Sequence, residues 1–89
     1  MFTIGIELFY SPGCSACVDG QAELRTVAQE AIKDVEWREI NILDSVEHAV
    51  ELGVMTLPSI VIDGKVVFTS MPTVVPLRKA LIARNRGRA

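Results

Sequence analysis

Apolar positions change their spacing several times along the chain, and each change marks an element. Thr3 to Tyr10 is rich in Ile, Phe and Tyr and predicts a strand. Ser11-Pro12-Gly13 breaks it. From about Ser15 to Lys33 the period becomes helical, with Cys17, Leu24, Val27, Ala28 and Ala31 near one face. Gly20 costs such a helix stability relative to Ala, and it reads as a mark of close packing against a neighbour. Val35 to Ile42 predicts a second strand, with Val35, Trp37 and Ile40 in imperfect alternation. Asp44 with Glu47 three residues later reads as a capping box, opening a short helix to about Leu52 that Gly53 ends. Ser59 to Asp63 and Val66 to Thr69 are β-rich runs around Asp63-Gly64, a hairpin signal. Pro72 and Thr73 open a last helix carrying Val74, Val75, Leu77, Leu81 and Ile82.

The predicted order is β-α-β-α-β-β-α. Two strands joined through a helix should be parallel with a right-handed crossover. The last two form an antiparallel hairpin, and helices cover both faces of the resulting mixed sheet. The expected core holds Ile6, Leu8, Leu24, Val27, Ile40, Val61 and Leu81.

Composition narrows the class. The chain has 89 residues, of which 49% are hydrophobic, enough for one modest core without extra staples. Its formal net charge is −2, with both signs dispersed, so no basic stripe suggests nucleic acid. The one basic cluster, Arg84 to Arg88, reads as a solvated C-terminus. The organisation expected is a single domain over 1–84 with a flexible basic tail over 85–89. No stretch approaches the roughly 18 apolar residues of a membrane span, and no signal peptide is evident. A cytoplasmic monomer with no nucleic-acid or membrane partner is expected, and in that compartment a cysteine pair is more often redox-active or metal-binding than structural.

Cys14 and Cys17 stand where the first strand gives way to the first helix. Their spacing puts both sulfurs on one side of the opening turn. Cys14 falls at the helix N-terminus, where unpaired N–H groups and the macrodipole favour a thiolate. Cys17 lies one turn deeper, on the face shared with Leu24. This asymmetry assigns nucleophilic attack to Cys14 and resolution of the mixed disulfide to Cys17. A structural zinc site needs four ligands, and the chain offers two cysteines and one histidine, His48, which reads as a surface residue. A disulfide closing so small a loop would constrain the unfolded chain little.

The stretches Phe9-Tyr10-Ser11-Pro12-Gly13-Cys14-Ser15-Ala16-Cys17, Gly53-Val54-Met55-Thr56-Leu57-Pro58, Ile60-Val61-Ile62-Asp63-Gly64-Lys65-Val66 and Met71-Pro72-Thr73 resemble the thioredoxin superfamily, over Ile6 to Leu81. The short thioredoxin/glutaredoxin-like redox-active disulfide proteins of prokaryotes are the nearest in pattern. The resemblance implies an α/β, minimal thioredoxin/glutaredoxin-like fold: a four-stranded mixed sheet, order 2-1-3-4, with three helices. It also implies a cis peptide bond at Leu57-Pro58 facing the cysteines, with Thr56 and Leu57 presenting backbone to an extended substrate. From the residues alone, Pro58 reads equally well as the mere start of a strand. Tyr10, Pro12, Met55, Leu57 and Met71 are the apolar residues expected to flank the site.

Three departures stand out. Gly13 and Ser15-Ala16 replace parts of the familiar Trp-Cys-Gly-Pro-Cys, and Leu8 stands where thioredoxins bury an Asp. Phe68-Thr69-Ser70-Met71-Pro72 replaces the Gly-Gly region with which glutaredoxins grip glutathione. The function expected is reduction of protein disulfides by the Cys14/Cys17 dithiol. It needs no cofactor beyond the redox-active Cys14–Cys17 disulfide and no metal, and its electrons come from an unidentified disulfide reductase. The alternatives are a metal module, holding Cu(I) or a dimeric iron–sulfur group on two thiolates, and a non-catalytic thioredoxin-fold binding module.

Overall fold

The computed structural model describes residues 3–13 and 20–87. Cys14 and Cys17, on which the expected chemistry rests, lie outside the described residues. In chain order the elements are β1 (Ile4–Tyr10), α1 (Gln21–Ala31), β2 (Val35–Asn41), α2 (Val46–Leu52), β3 (Ser59–Ile62), β4 (Lys65–Phe68) and α3 (Val74–Gly87). The four strands form one sheet in the order β2-β1-β3-β4. β1 runs parallel to β2 and antiparallel to β3, and β3 pairs antiparallel with β4. The topology is therefore the one expected, a mixed α/β sheet with, among the described residues, three helices.

Alternation along the central strands divides the core in two. Ile4, Ile6 and Leu8 of β1 join Ile60 and Ile62 of β3 beneath Leu24 and Ala28 of α1 and Leu77 and Leu81 of α3. The opposite face holds a smaller cluster, Phe9, Val61 and Ala49 of α2. The imperfect alternation of β2 follows from this division. Val35 and Trp37 pack against the larger cluster, whereas Ile40 turns to the smaller one. Ile40 is consequently half-buried, and the other six residues of the expected core are buried.

Local signals resolve into specific backbone geometry. Asp63 and Gly64 both take positive φ, 48° and 84°, as a two-residue hairpin turn of type I′ demands. Gly20 stands at the start of the described helix with φ 81°, and a Cβ there would meet nothing within 4 Å. Its signal is left-handed backbone, not the close packing expected. The capping box is also corrected. Asp44 ends a 3₁₀ turn, Ile42–Asp44, and Ser45 is the N-cap of α2 without a side-chain cap bond. Asn41 is the cause, because its side-chain oxygen accepts the Leu43 N–H at 3.0 Å and tightens the chain before the helix can begin. Gly53 ends α2 as expected, at φ 85°.

Residues 85–87 continue α3 to its described end at Gly87. Arg84 and Arg86 in its last turn complement the helix macrodipole. Arg84 Nε also donates to Asp63 Oδ2 at 2.8 Å, tying that turn to the hairpin.

Candidate functional site

The site is built where the C-terminal end of β1 meets the start of β3. Phe9 is the register partner of Ser59, so the chain leaving β1 passes the chain entering β3. Tyr10 and Ser11 are half-buried there, and Pro12 and Gly13 form an exposed turn in which Gly13 takes φ 82°. Cys14 follows Gly13 in sequence.

The second wall is the loop from α2 to β3. The Val54 N–H donates to Ala49 O at 2.9 Å, fixing the chain as it leaves the helix. Met55 then projects into solvent, 92% exposed. Leu57 is half-buried against the cluster beneath α2, and Pro58 is buried. The Leu57–Pro58 peptide bond is cis. Thr56 Oγ1 donates to Thr69 O at 3.0 Å, and Ser59 Oγ donates to Thr56 O at 2.5 Å. The first bond ties the loop to the end of β4, and the second ties it to the buried start of β3.

The third wall is the β4–α3 connection. Met71, Pro72 and Val75 line a groove of about 410 Å³ with Gly20, Glu23 and Leu24 of the α1 side. Met71 also packs against the larger core cluster, so it contributes one face to the groove and another to the interior.

Of the residues singled out from sequence, Tyr10, Pro12, Thr56, Leu57 and Pro58 fall on these first two walls, at one end of the sheet. Ser59 and Thr69 were not anticipated. For Ser59 a signal exists, namely a hydroxyl residue opening an otherwise apolar run, Ile60-Val61-Ile62. For Thr69 none does, because its backbone oxygen is what matters. His48 is half-exposed as expected, but it is not solitary. Its Nε2 lies 2.6 Å from Glu7 Oε2, and its ring packs on Phe9 with centroids 5.9 Å apart. Among the described residues no group of three or more His, Cys, Asp or Glu could hold a metal ion.

A parallel-plus-hairpin sheet with helices on both faces and a proline loop at the end of β1 defines the thioredoxin-like class of folds. Residues 4–82 match the sequence profile described as "Thioredoxin domain". A protein named "Thioredoxin" from Methanocaldococcus jannaschii is 38% identical over 84 residues, covering 94% of this chain and 99% of its own. A "Probable Thioredoxin" from Methanothermobacter thermautotrophicus is 31% identical over 78 residues, covering 88% and 92%. Among solved structures, chloroplastic thioredoxin z superposes with a TM-score of 0.78 at 22% identity, covering 96% of this chain and 80% of that one. The chain belongs to the thioredoxin family of thiol–disulfide oxidoreductases.

Proposed function

We propose that this protein reduces protein disulfides through the Cys14/Cys17 dithiol, with the Thr56–Leu57–Pro58 loop, Tyr10 and Pro12 forming the surface that receives the substrate. The observation that supports the reading most directly is the Phe9–Ser59 register, which sets that loop beside the chain leading into Cys14. The "Thioredoxin" relative, matched over nearly its whole length, supports the same chemistry. In the first step the Cys14 thiolate attacks one sulfur of the substrate disulfide and expels the other as a thiolate. The Cys17 thiolate then attacks the mixed disulfide, releases the second substrate thiol and leaves a Cys14–Cys17 disulfide. Two electrons pass to the substrate, and an external disulfide reductase restores the dithiol. The protein works as a cytoplasmic monomer in the reducing direction and needs no separate cofactor.

Apolar groups around the loop, Met55 and the groove at Met71 and Pro72, suit a protein segment better than a charged tripeptide. Glutathione is therefore not the preferred substrate. The thioredoxin relatives favour neither the metal module nor the non-catalytic module.

Insulin-disulfide reduction by the intact protein tests the reading. Cys14→Ser should abolish turnover, and Cys17→Ser should accumulate a mixed disulfide visible by mass spectrometry without reductant. In the reduced protein Cys14 should alkylate well before Cys17 at neutral pH. Full activity in Cys14→Ser would overturn the assignment.

A further inference from the structure

We propose that Ser59 is a positioning residue for substrate. Its buried hydroxyl fixes the Thr56 carbonyl and so holds the Leu57 backbone in the pose that an extended substrate segment must meet. The proposal rests on the reading of this loop as the substrate-receiving edge.

Ser59 is the one polar residue among the described residues whose surface is fully buried. It opens β3, where all four residues are buried. A hydroxyl taken from water there costs free energy unless it is bonded, and packing alone would be as well served by alanine. Its bond runs backward across Leu57 and Pro58 to Thr56 O. Thr56 in turn reaches forward to Thr69 O. Two bonds in series therefore anchor the loop to the buried strand on one side and to the end of β4 on the other.

Leu57 sits between these anchors. Its side chain packs against the cluster beneath α2. Among the described residues, no hydrogen bond engages its backbone N–H or C=O. The Thr56 carbonyl, by contrast, already holds a donor. The clamp thus leaves the Leu57 groups as the open main-chain pair and holds them still. A substrate backbone that pairs with a fixed edge orders fewer groups on binding, and the gain appears as affinity. A disulfide without a peptide backbone cannot draw on that gain.

The test compares steady-state reduction of insulin with that of hydroxyethyl disulfide, a small disulfide lacking main chain. Ser59→Ala should raise KM for insulin about tenfold, one hydrogen bond's worth, with kcat changed less than about twofold. The ratio of kcat/KM for insulin to that for hydroxyethyl disulfide should fall by the same factor. Ser59→Thr keeps the hydroxyl and should restore the wild-type ratio. Thr56→Val removes the outer anchor and should shift the ratio in the same direction by about threefold. It carries the test if circular dichroism shows that Ser59→Ala does not fold. An unchanged insulin KM, or an equal loss on both substrates, would mean that Ser59 serves stability alone. Wild-type reduction of insulin that depends on Cys14 is the control. If it is absent, the disulfide-reductase reading falls and takes the clamp with it. If it is present without a KM shift, only the clamp falls.

Discussion

The two faces of the sheet are built to different standards. Beneath α1 and α3 the two central strands are apolar along their whole length, through Ile4, Ile6 and Leu8 on β1 and Ile60 and Ile62 on β3. On the α2 side the paired rows of β1 and β2 change character along the strands. Gly5 lies beside Glu36, Glu7 beside Arg38 and Phe9 beside Ile40. Only the last row is apolar, and the seven-residue α2 covers that end. The outer side of α2 stays apolar in solvent, with Val50 70% exposed and Leu43, in the preceding turn, 71% exposed. One face therefore carries the stability, and the other carries only enough apolar surface to hold α2 and the loop that follows it. The economical face lies behind the Thr56–Leu57–Pro58 loop, through Leu57, Val54 and Val66.

The same deletion on each face is the sharpest way to break that contrast. Leu8→Ala, in the large cluster, should cost about 2–5 kcal/mol and so a large share of the total expected for a domain of this size. Leu52→Ala, at the half-buried last residue of α2, should cost about 1–2 kcal/mol. Urea unfolding of both variants checks this, and equal losses would show that the two faces contribute alike. Cys14-dependent reduction of insulin should survive Leu52→Ala more poorly than its stability loss suggests, because the loop leans on that cluster.

A second comparison concerns the polar ties that close each face. Asp63 accepts the Gly5 N–H on Oδ1 at 2.8 Å and the Arg84 Nε–H on Oδ2 at 2.8 Å. Its own N–H donates to Gly5 O at 2.8 Å. One side chain thus joins the hairpin turn, the start of β1 and the last turn of α3. Asp63→Ala should cost about 1–3 kcal/mol, since it strands the Gly5 donor and leaves a left-handed position without a residue suited to it. Asp63→Asn keeps the acceptor and tolerates that backbone, so its cost should be under about 1 kcal/mol. Thermal melts of the two variants at matched pH separate the hydrogen bond from the ion pair.

Most of this division was legible in the residues. The parallel first pair followed from the helix between its strands and the last hairpin from Asp63-Gly64, whereas the order 2-1-3-4 came through the resemblance. Leu24, Val27 and Ala28 declared the buried face of α1 by period. What escaped had a common physical cause, competition between local bonds that composition does not rank. Asn41 took the Leu43 N–H, so the capping box at Asp44 and Glu47 did not form. Gly20 looked like a packing device because its positive φ leaves no trace in the pattern of apolar residues. Ile40 looked like a break in alternation until a second apolar cluster gave it a partner. In the loop before β3, the cis bond at Leu57-Pro58 was expected through resemblance. The hydroxyl of Ser59, which ties that loop to β3, reads from sequence only as the first residue of a strand.

The smallest effect belongs to the tie on the α2 face, and its size decides how independent that face is. His48 and Glu7 join α2 to β1, with side chains 46% and 18% exposed. A partly solvated pair gains little net free energy, because each group exchanges water for its partner and gives up side-chain freedom. Glu7 remains reachable by water when His48 is removed, so its carboxylate is not stranded. His48→Ala should therefore lower global stability by less than about 1 kcal/mol. It also removes the ring that packs on Phe9, so the loss should fall locally, on the attachment of α2. Amide hydrogen exchange reads that distribution directly. The α2 amides should lose protection while those of α1 and α3 keep theirs. His48→Gln retains a donor for Glu7 and should recover part of the protection in α2. A uniform loss across all three helices would show that the two faces unfold as one unit, and the contrast between them would then be one of composition alone.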